Sequence, residues 1–403
     1  MKVIFISNYI NHHQKPFCDA MYKRLGDDFI FIQSEPMEEE RINMGWDTTL
    51  TSLPYVKLLY ENENECRELI LSADALIAGW TKRVDLLKER LDLKRLTIRV
   101  YERIYREGQW KAVSPRGILA KYNEHIKYRN YPAYLLCCGA YVASDFSLIK
   151  AYPDKMYKFG YFPETKHYDI DELMLKKNEG GKLEIIFAGR FLKLKHPEYM
   201  LYLARDLKNM LAEHDKGENT KLNDFRIHMV GSGELSDELK LLAKEYEVED
   251  KINFYGFLKP DEVRSLMEKS HIHVFPSNAL EGWGAVVNEA MNSACVVVAS
   301  AEAGAVPFLI KQNENGIAYK GEDYDSLKQA VISLMQNDDK RNNMAKAAYE
   351  TIVKLWNADN AADSLINMIN GWMDGKDNAK EDGPLSKALV IPPRKMFSYM
   401  ESR

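Results

Sequence analysis

Residues 271–300 read HIHVFPSNALEGWGAVVNEAMNSACVVVAS. The stretch predicts a buried strand from Ile272 to Phe275 and a second buried strand that begins at Val296. Between them lie a loop, Glu281-Gly282-Trp283-Gly284, and a helix over 285–293. This helix is apolar on nearly every side, so we expect it to be buried. Strand, loop, helix and strand in this order indicate an α/β fold with a parallel sheet.

Two carboxylates bracket the junction between the loop and the helix, Glu281 before it and Glu289 inside it. A carboxylate in a buried helix is costly unless something pairs with it, and ligand hydroxyls are suitable partners. Gly282 and Gly284 allow the loop amides, including that of Trp283, to approach a ligand closely. The free amides at the helix start favour an anion. We therefore predict a ligand site at this junction.

The spacing of Glu281 and Glu289 after a buried strand resembles the donor motif of the retaining glycosyltransferases of family 4, which have the GT-B fold. The resemblance implies that Glu281 contacts the donor sugar and that Glu289 holds the ribose hydroxyls. It also implies that the amides of Trp283 and Gly284 lie against sugar and phosphate. Taken alone, the spacing also fits a helix start with an ordinary acidic residue.

A second part of the resemblance follows a predicted strand over 183–189. The segment GRFLKLKHP, residues 189–197, resembles the diphosphate-binding arginine and lysine of the family, here Arg190 and Lys195 after Gly189. A departing nucleoside diphosphate carries several negative charges, which fixed cations stabilise. Two surface cations in a loop would give the same pattern.

Glycines end the next two predicted strands of this half. Gly231 and Gly233 follow the strand over 225–230 and resemble a glycine turn at the donor cleft of the family. Tyr255 and Gly256, in the strand after that, would lie near the nucleobase in the family arrangement. The Gly-x-Gly pair is weak evidence, since it lacks the third glycine of a dinucleotide-binding fingerprint.

In the first half of the chain, an apolar strand over 2–7 leads into the polar loop Asn8–Gln14. Ligands bind at the carboxyl edge of open parallel sheets, which makes His12 and His13 candidates for ligand contact. The alternative is a pair of solvated loop histidines.

Glu102 follows a predicted strand over 96–101. By order along the chain, it stands where many family members carry an active-site histidine, so it is a candidate to contact the reacting sugar. A salt bridge with Arg103 or Arg106 is the alternative. The basic stretch over 106–129 favours a solvated helix face over a wall for an anionic acceptor.

Length and composition limit the classes of protein to which the chain can belong. A chain of 403 residues predicts two domains, and 46% hydrophobic with 29% charged residues is typical of soluble globular proteins. The net charge of -5 lacks the basic surplus of a nucleic-acid-binding protein. No apolar run is long enough for a membrane helix. Five cysteines without metal-ligand spacing fit reduced thiols in a cytoplasm.

The resemblance implies an α/β protein with the GT-B fold, that is, two Rossmann-like domains with parallel sheets that face each other across a cleft. We expect an acceptor-side domain over 1–165 and a nucleotide-sugar-binding domain over 166–355. A helix over 356–373 would cross back to the first domain, and the polar residues 374–403 would form a loosely held tail.

The implied activity is that of a retaining glycosyltransferase of the hexosyltransferase type. It would move a sugar from a UDP- or GDP-type donor to a saccharide or lipid-linked acceptor, in the synthesis of cell-surface polysaccharide or glycoconjugate. No cofactor, metal or nucleic acid is expected, because Arg190, Lys195 and helix amides would supply the charge stabilisation. The location would be the cytoplasm, with peripheral contact at the inner face of the membrane left open. A nucleotide-sugar epimerase of the same fold and a non-catalytic nucleotide-sugar-binding partner are the alternatives.

Overall fold

A computed structural model describes residues 1–43, 46–214 and 224–402. The chain divides into two compact units. Unit 1 comprises Met1–Glu164 and Trp356–Pro392, and unit 2 comprises Thr165–Leu355 and the segment that begins at Pro393. The division after Glu164 is close to the expected one between residues 165 and 166.

Unit 1 is built around a parallel sheet of seven strands. The strands are β1 (Val3–Ser7), β2 (Phe29–Gln33), β3 (Val56–Leu58), β4 (Ala75–Ala78), β5 (Thr97–Tyr101), β6 (Ala133–Cys138) and β7 (Met156–Phe159). Their order is β3-β2-β1-β4-β5-β6-β7, so the direction of strand addition reverses between β1 and β4. All five residues of β1 are buried, as expected for a central strand that is covered on both faces.

Within the described residues of unit 1, six helices connect these strands. They are α1 (Lys15–Leu25), α2 (Glu39–Asn43), α3 (Glu63–Ser72), α4 (Val84–Asp92), α5 (Pro115–Glu124) and α6 (Val142–Leu148). The segment over 34–57, which the sequence leaves unassigned, contains α2, a short 3-10 turn and the start of β3.

Unit 2 contains a parallel sheet of six strands. The strands are β8 (Leu183–Ala188), β9 (Phe225–Val230), β10 (Ile252–Gly256), β11 (Ile272–Phe275), β12 (Val296–Ser300) and β13 (Gly316–Tyr319). The order is β10-β9-β8-β11-β12-β13, with the reversal between β8 and β11.

The helices of unit 2 pack around this sheet. They are α7 (Ile170–Asn178), α8 (Tyr199–His214), α9 (Ser236–Glu245), α10 (Pro260–Met267), α11 (Val286–Asn292), α12 (Val306–Leu309), α13 (Tyr324–Met335) and α14 (Asp338–Lys354). Helix α11 corresponds to the predicted buried helix over 285–293, and its Val287, Ala290 and Met291 are fully buried.

After unit 2, the chain returns to unit 1 as α15 (Ala358–Met373), which packs against α1. The guanidinium group of Arg24 on α1 donates hydrogen bonds to the carboxylates of Asp359 and Asp363, at 2.9 and 2.5 Å. The expected helix over 356–373 therefore belongs to unit 1. In the described ranges, no helix is long and apolar enough to cross a membrane.

The segment after α15 differs from the expected loosely held tail. The main-chain N–H of Leu385 donates to the carbonyl of Lys158 in β7 at 2.8 Å, and Leu385 is fully buried. The last helix, α16 (Pro393–Glu401), belongs to unit 2 and buries Met396 and Met400. Main-chain pairing and a few apolar anchors hold this segment although its composition is polar.

Each sheet has one point where strand order reverses, and open α/β sheets bind ligands beyond the carboxyl ends of their strands at such points. In unit 1 this point lies between β1 and β4, and His13 lies in the loop after β1. In unit 2 it lies between β8 and β11, with Arg190 after β8 and Glu281 after β11.

Candidate functional site

The turn that carries Arg190 is fixed by backbone contact with the glycine turn after β9. The N–H of Phe191 donates to the carbonyl of Ser232 at 2.9 Å. A Cβ atom on Gly231 would lie 2.0 Å from the carbonyl oxygen of Gly189, and one on Gly233 would lie 2.5 Å from that of Phe191. Gly231 and Gly233 therefore allow two loops at the carboxyl edge of the sheet to touch.

The two predicted cations, Arg190 and Lys195, stand in different surroundings. The side chain of Arg190 is exposed and, among the residues that the structure describes, takes part in no hydrogen bond or ion pair. Lys195 is largely buried, and its ammonium group lies 2.5 Å from the Glu281 carboxylate, with each side chain 16% exposed. Lys195 also lies over the ring of Phe275, 5.5 Å from its centroid.

The loop after β11 is tied to the loop after β8. The N–H of Asn278 donates to the carbonyl of Leu194 at 2.9 Å, and the carbonyl of Asn278 accepts from the N–H of Glu281 at 3.0 Å. These bonds place Glu281 opposite Lys195. The structure thus brings together two predicted site residues that are far apart in the sequence, at the reversal point of the sheet.

Glu289 lies in the first turn of α11 and is half-buried. Burial raises the pKa of its carboxyl group, and the positive charge of Arg264 opposes that shift. Arg264 donates to the main-chain carbonyl of Glu289 at 3.1 Å. Within the described part of the chain, the Glu289 carboxylate itself accepts no hydrogen bond. It therefore retains capacity to accept bonds from hydroxyl groups.

The Trp283 side chain is part of the core. Its Nε1 donates to Asn288 Oδ1 at 2.9 Å in a buried contact, and the residue is 1% exposed. Only the backbone of Trp283 can then face a ligand, as the resemblance implies for its amide. Gly284 has φ +90°, and a Cβ atom there would lie 2.5 Å from the Phe275 ring. Gly282, between Glu281 and Trp283, is buried.

Tyr255 and Gly256 end the edge strand β10. The hydroxyl of Tyr255 hydrogen-bonds to Nδ1 of His228 at 2.9 Å, and Nε2 of His228 contacts the Glu184 carboxylate at 2.7 Å. The carbonyl of Gly256 accepts from the N–H of Gly231 at 2.8 Å. Gly256 is therefore hydrogen-bonded to the glycine turn after β9, whereas the Tyr255 side chain is held by His228 of β9.

A cavity of about 680 Å³ lies at the carboxyl edge of the unit 1 sheet. Its lining includes His13 after β1, Trp80 after β4, and Glu102 after β5. Trp46 and Tyr161 add aromatic surface to the same cavity. Aromatic faces beside polar groups form a common type of small-molecule site.

Glu102 forms an ion pair with Arg106, and its Oε1 accepts from the Tyr161 hydroxyl at 2.8 Å. The neighbouring Arg103 instead pairs with the buried carboxylate of Asp145 at 3.3 Å. The salt bridge considered for Glu102 is therefore present with Arg106. The Arg106 and Glu102 charges both line the cavity, so the ion pair is also available to a ligand.

The rings of His12 and His13 lie 3.9 Å apart between centroids and are tilted by 48°, but only His13 lines the cavity. Burial, together with the neighbouring His12, lowers the pKa of His13 to about 3. The imidazole of His13 is thus neutral at physiological pH, so one of its ring nitrogens can donate a hydrogen bond and the other can accept one. His12 is exposed and packs edge-on against Trp46, with ring centroids 5.0 Å apart.

The sequence of unit 2 is similar to that of known proteins. Residues 169–351 match the glycosyl transferases group 1 family. A glycosyltransferase of Methanocaldococcus jannaschii, described as uncharacterised, is 29% identical over 184 residues, which cover 46% of this chain and 44% of that protein. A GDP-mannose-dependent alpha-(1-6)-phosphatidylinositol monomannoside mannosyltransferase of Mycobacterium tuberculosis is 27% identical over 157 residues, 38% and 40% of the two chains. The chain spans less than half the length of these relatives.

A solved structure extends the comparison to both units. Anabaena HepE in complex with UDP has a TM-score of 0.67 to this chain at 13% identity, with 92% of this chain and 100% of that chain covered. At this identity the likeness concerns the fold. Together with the two parallel sheets, it confirms the predicted GT-B fold.

A further carboxylate, which was not among the predicted site residues, lies at the same edge of the group 1 region. Glu302 follows β12, and its Oε2 accepts from the N–H of Ala279 at 3.2 Å in the loop before Glu281. The signal was its position directly after a buried parallel strand. Among the described residues, no group of three or more His, Cys, Asp or Glu side chains is placed to hold a metal ion.

Proposed function

We propose that this protein is a retaining glycosyltransferase of family 4, of the hexosyltransferase type, with a UDP- or GDP-type sugar as donor. The observation that carries the proposal is the ion pair of Lys195 with Glu281 at the reversal point of the unit 2 sheet, where Arg190 follows strand β8. This point lies within residues 169–351, which match the glycosyl transferases group 1 family.

The cations act on the leaving diphosphate. Arg190 offers a planar fork to two phosphate oxygens, and Lys195 offers a point charge. The pair with Glu281 holds the Lys195 ammonium at the crevice and supplies its counter-charge. When a diphosphate takes over as the anionic partner of Lys195, the Glu281 carboxylate becomes available to the sugar hydroxyls.

Glu289 is suited to bind the ribose. Its carboxylate accepts no hydrogen bond from the described residues, and two adjacent hydroxyls could supply the two donors that such a group requires. Hydroxyl donors favour the ionised form, so binding would oppose the rise in pKa that burial causes.

The reaction proceeds on one face of the sugar. The acceptor oxygen forms a bond to the anomeric carbon as the bond from that carbon to the phosphate oxygen breaks. The acceptor proton passes to the departing phosphate oxygen. Because the acceptor attacks the same face of the sugar that the phosphate leaves, the anomeric configuration is retained. Charge that develops on the diphosphate is offset by Arg190 and Lys195, so turnover should not require a metal ion.

The acceptor is a saccharide or a lipid-linked saccharide, and it enters the cavity of unit 1. Trp46, Trp80 and His13 supply flat faces for sugar rings, while Glu102 and Arg106 supply hydrogen-bonding groups. The Mycobacterium tuberculosis relative is described as acting on a phosphatidylinositol mannoside, which is a lipid-borne sugar. We place the activity in the cytoplasm, at or near the inner face of the membrane, in cell-surface polysaccharide or glycoconjugate synthesis.

Thermal stabilisation by nucleotide sugars tests donor binding first. A ligand at one hundred times its Kd stabilises the folded protein by about 2.7 kcal/mol, so a panel of UDP- and GDP-sugars should raise the Tm for one donor. Absence of any shift across the panel would contradict the proposal.

Nucleotide release with candidate acceptors then tests transfer, and NMR of the product reports its anomeric configuration. Turnover should persist in EDTA, and a loss that Mn²⁺ restores would reject the metal-free reaction. Donor binding without release would indicate a non-catalytic partner. Conversion of the donor sugar to its epimer without acceptor would indicate an epimerase.

A further inference from the structure

A run of exposed apolar side chains lies on the surface of unit 1, in a 3-10 turn over Gln109–Val113 and in helix α5. The exposed side chains are Trp110 (71%), Val113 (77%), Ile118 (44%), Leu119 (63%) and Tyr122 (50%). Scattered exposed apolar residues need no explanation, but a contiguous group marks an interaction site. We call residues 110–122 the apolar platform.

Helix α5 presents its apolar face to solvent. Ile118, Leu119 and Tyr122 have the spacing of a single helical stripe. Lys121 flanks this stripe and Glu124 lies opposite it; both are half-buried, and they pair with each other at 3.7 Å. All residues of α5 are described, and none of them is fully buried. This orientation is the reverse of that in an ordinary surface helix.

The platform lies in a stretch with a surplus of cations, four of which are paired: Arg106 with Glu102, Lys111 with Glu107, Lys121 with Glu124 and Lys127 with Asp92. The stretch over 106–129 carries six cations and two carboxylates, although the whole chain has a net charge of -5. Arg116, Lys127 and Arg129 are exposed, and the Lys111 ammonium lies 5.7 Å from the Trp110 ring centroid. Cations that border an apolar surface are complementary to an anionic surface with an apolar interior.

We propose that the apolar platform docks unit 1 on an anionic lipid bilayer. Tryptophan and tyrosine favour the level of the lipid headgroups, where Trp110 and Tyr122 would lie. Leu119 and Val113 would enter the acyl boundary, and the cations would face anionic headgroups. A two-fold contact between two copies would set these cations against one another, so the charge favours the bilayer over a second copy.

The docking itself goes beyond the proposed function, whereas its use in catalysis rests on that function. Arg106 lines the unit 1 cavity, and Trp110 follows it four residues later in the chain. A lipid-linked acceptor in the same bilayer would therefore present its headgroup close to the cavity. The platform thus provides a physical basis for a membrane-borne acceptor.

Vesicle flotation of the full chain tests the docking. The wild-type protein should float with vesicles of phosphatidylcholine mixed with phosphatidylglycerol, much less with phosphatidylcholine alone, and high salt should release it. The double variant Arg116→Glu with Leu119→Glu reverses one charge and removes one inserted side chain. Its partition coefficient should fall on the order of 100-fold.

A matched control is available on helix α9 of unit 2. Leu241 is 66% exposed and follows the exposed Lys240, so Lys240→Glu with Leu241→Glu changes the same charges and apolar groups elsewhere. This control should float like the wild type. Equal binding by both double variants, or no binding by the wild type, would overturn the proposal.

Sedimentation equilibrium tests the other possible occupant of the platform, a second copy of the chain. If the wild type forms a dimer that the Arg116→Glu and Leu119→Glu double variant cannot form, and neither floats with vesicles, the platform is an interface between two copies and the lipid proposal is wrong. Thermal stabilisation by nucleotide sugars, measured on the same proteins, reports whether unit 2 binds a donor. Vesicle binding without any donor stabilisation would reject the proposed function and leave the docking intact.

Discussion

Gly231 offers a direct test of whether the glycine turn positions Arg190. In Gly231→Ala, the new Cβ atom would lie 2.0 Å from the carbonyl oxygen of Gly189 and 2.8 Å from its carbonyl carbon. Ordinary contacts between such atoms exceed 3 Å by a few tenths, so the backbone must shift by about 1 Å. The φ of +134° adds strain of about 1–2 kcal/mol for any residue with a side chain.

The combined cost can be worked from these numbers. Overpacking against backbone costs about 1–3 kcal/mol, which with the strain gives about 2–5 kcal/mol. For a unit of this size, each 1 kcal/mol lowers the Tm by about 2–4 °C, so a decrease on the order of 10 °C is expected. A displacement of about 1 Å in a positioning element can cost on the order of 100-fold in rate.

Gly181→Ala is the matched control. Gly181 lies in unit 2 with φ +64° and no atom within 4 Å of its would-be Cβ, so only the strain remains. Differential scanning fluorimetry and calorimetric titration with UDP and GDP should show a small Tm decrease and unchanged affinity for Gly181→Ala. Gly231→Ala should show a large Tm decrease and at least tenfold weaker nucleotide binding. Equal behaviour of the two variants would refute the positioning argument.

Further expectations concern the charges of unit 2 and the buried histidines. Arg190→Ala and Lys195→Ala should each lower turnover on the order of 100- to 1000-fold in steady-state kinetics, and the double variant should lose less than the product because both act on one diphosphate. Glu289→Gln should weaken nucleotide binding in calorimetry with an unchanged circular dichroism spectrum; equal affinity would make Glu289 structural. Burial lowers the pKa of both His125 and His273 to about 3, below the value of 6.5 in the unfolded chain. The unfolded chain therefore binds more protons below pH 6.5, and at pH 5 each histidine should cost about 2 kcal/mol of stability. The Tm should fall with pH below 6.5, and His273→Gln should reduce that slope; a flat profile would exclude the effect.

Apart from β3, which begins in the unassigned segment over 34–57, the strands could be predicted from the sequence because they are short apolar runs that end at glycine, proline or polar residues. Helix α3 is hard to predict from the sequence because its exposed face is highly charged and only Cys66 and Ile70 are buried. A signal was nevertheless present, since Asn62 accepts from the N–H of Glu65 at 3.3 Å and also donates to its carboxylate. This reciprocal pair is a variant of the capping box at a helix start.

The candidate site was predictable as a set of positions but not as a set of contacts. Arg190, Glu281 and Glu289 could be identified because each follows a predicted strand or begins a helix. The contact between Lys195 and Glu281 depends on the order of the strands in the sheet. Strands β9 and β10 lie on one side of β8, and β11 lies on its other side. The core position of the Trp283 side chain depends on the partner Asn288, which sequence alone does not reveal.

The pairing of β7 with a late segment of the chain has a consequence for synthesis on the ribosome. The main chain of Lys158 is bonded on its outer side by Leu385 and Ser386, at 2.8 Å in each case. Until that segment emerges, β7 has free N–H and C=O groups along its edge, while all of unit 2 before α16 is being made. Such an edge invites pairing with other chains. Nascent or truncated chains that stop before residue 385 should therefore depend on chaperones more than the full chain does.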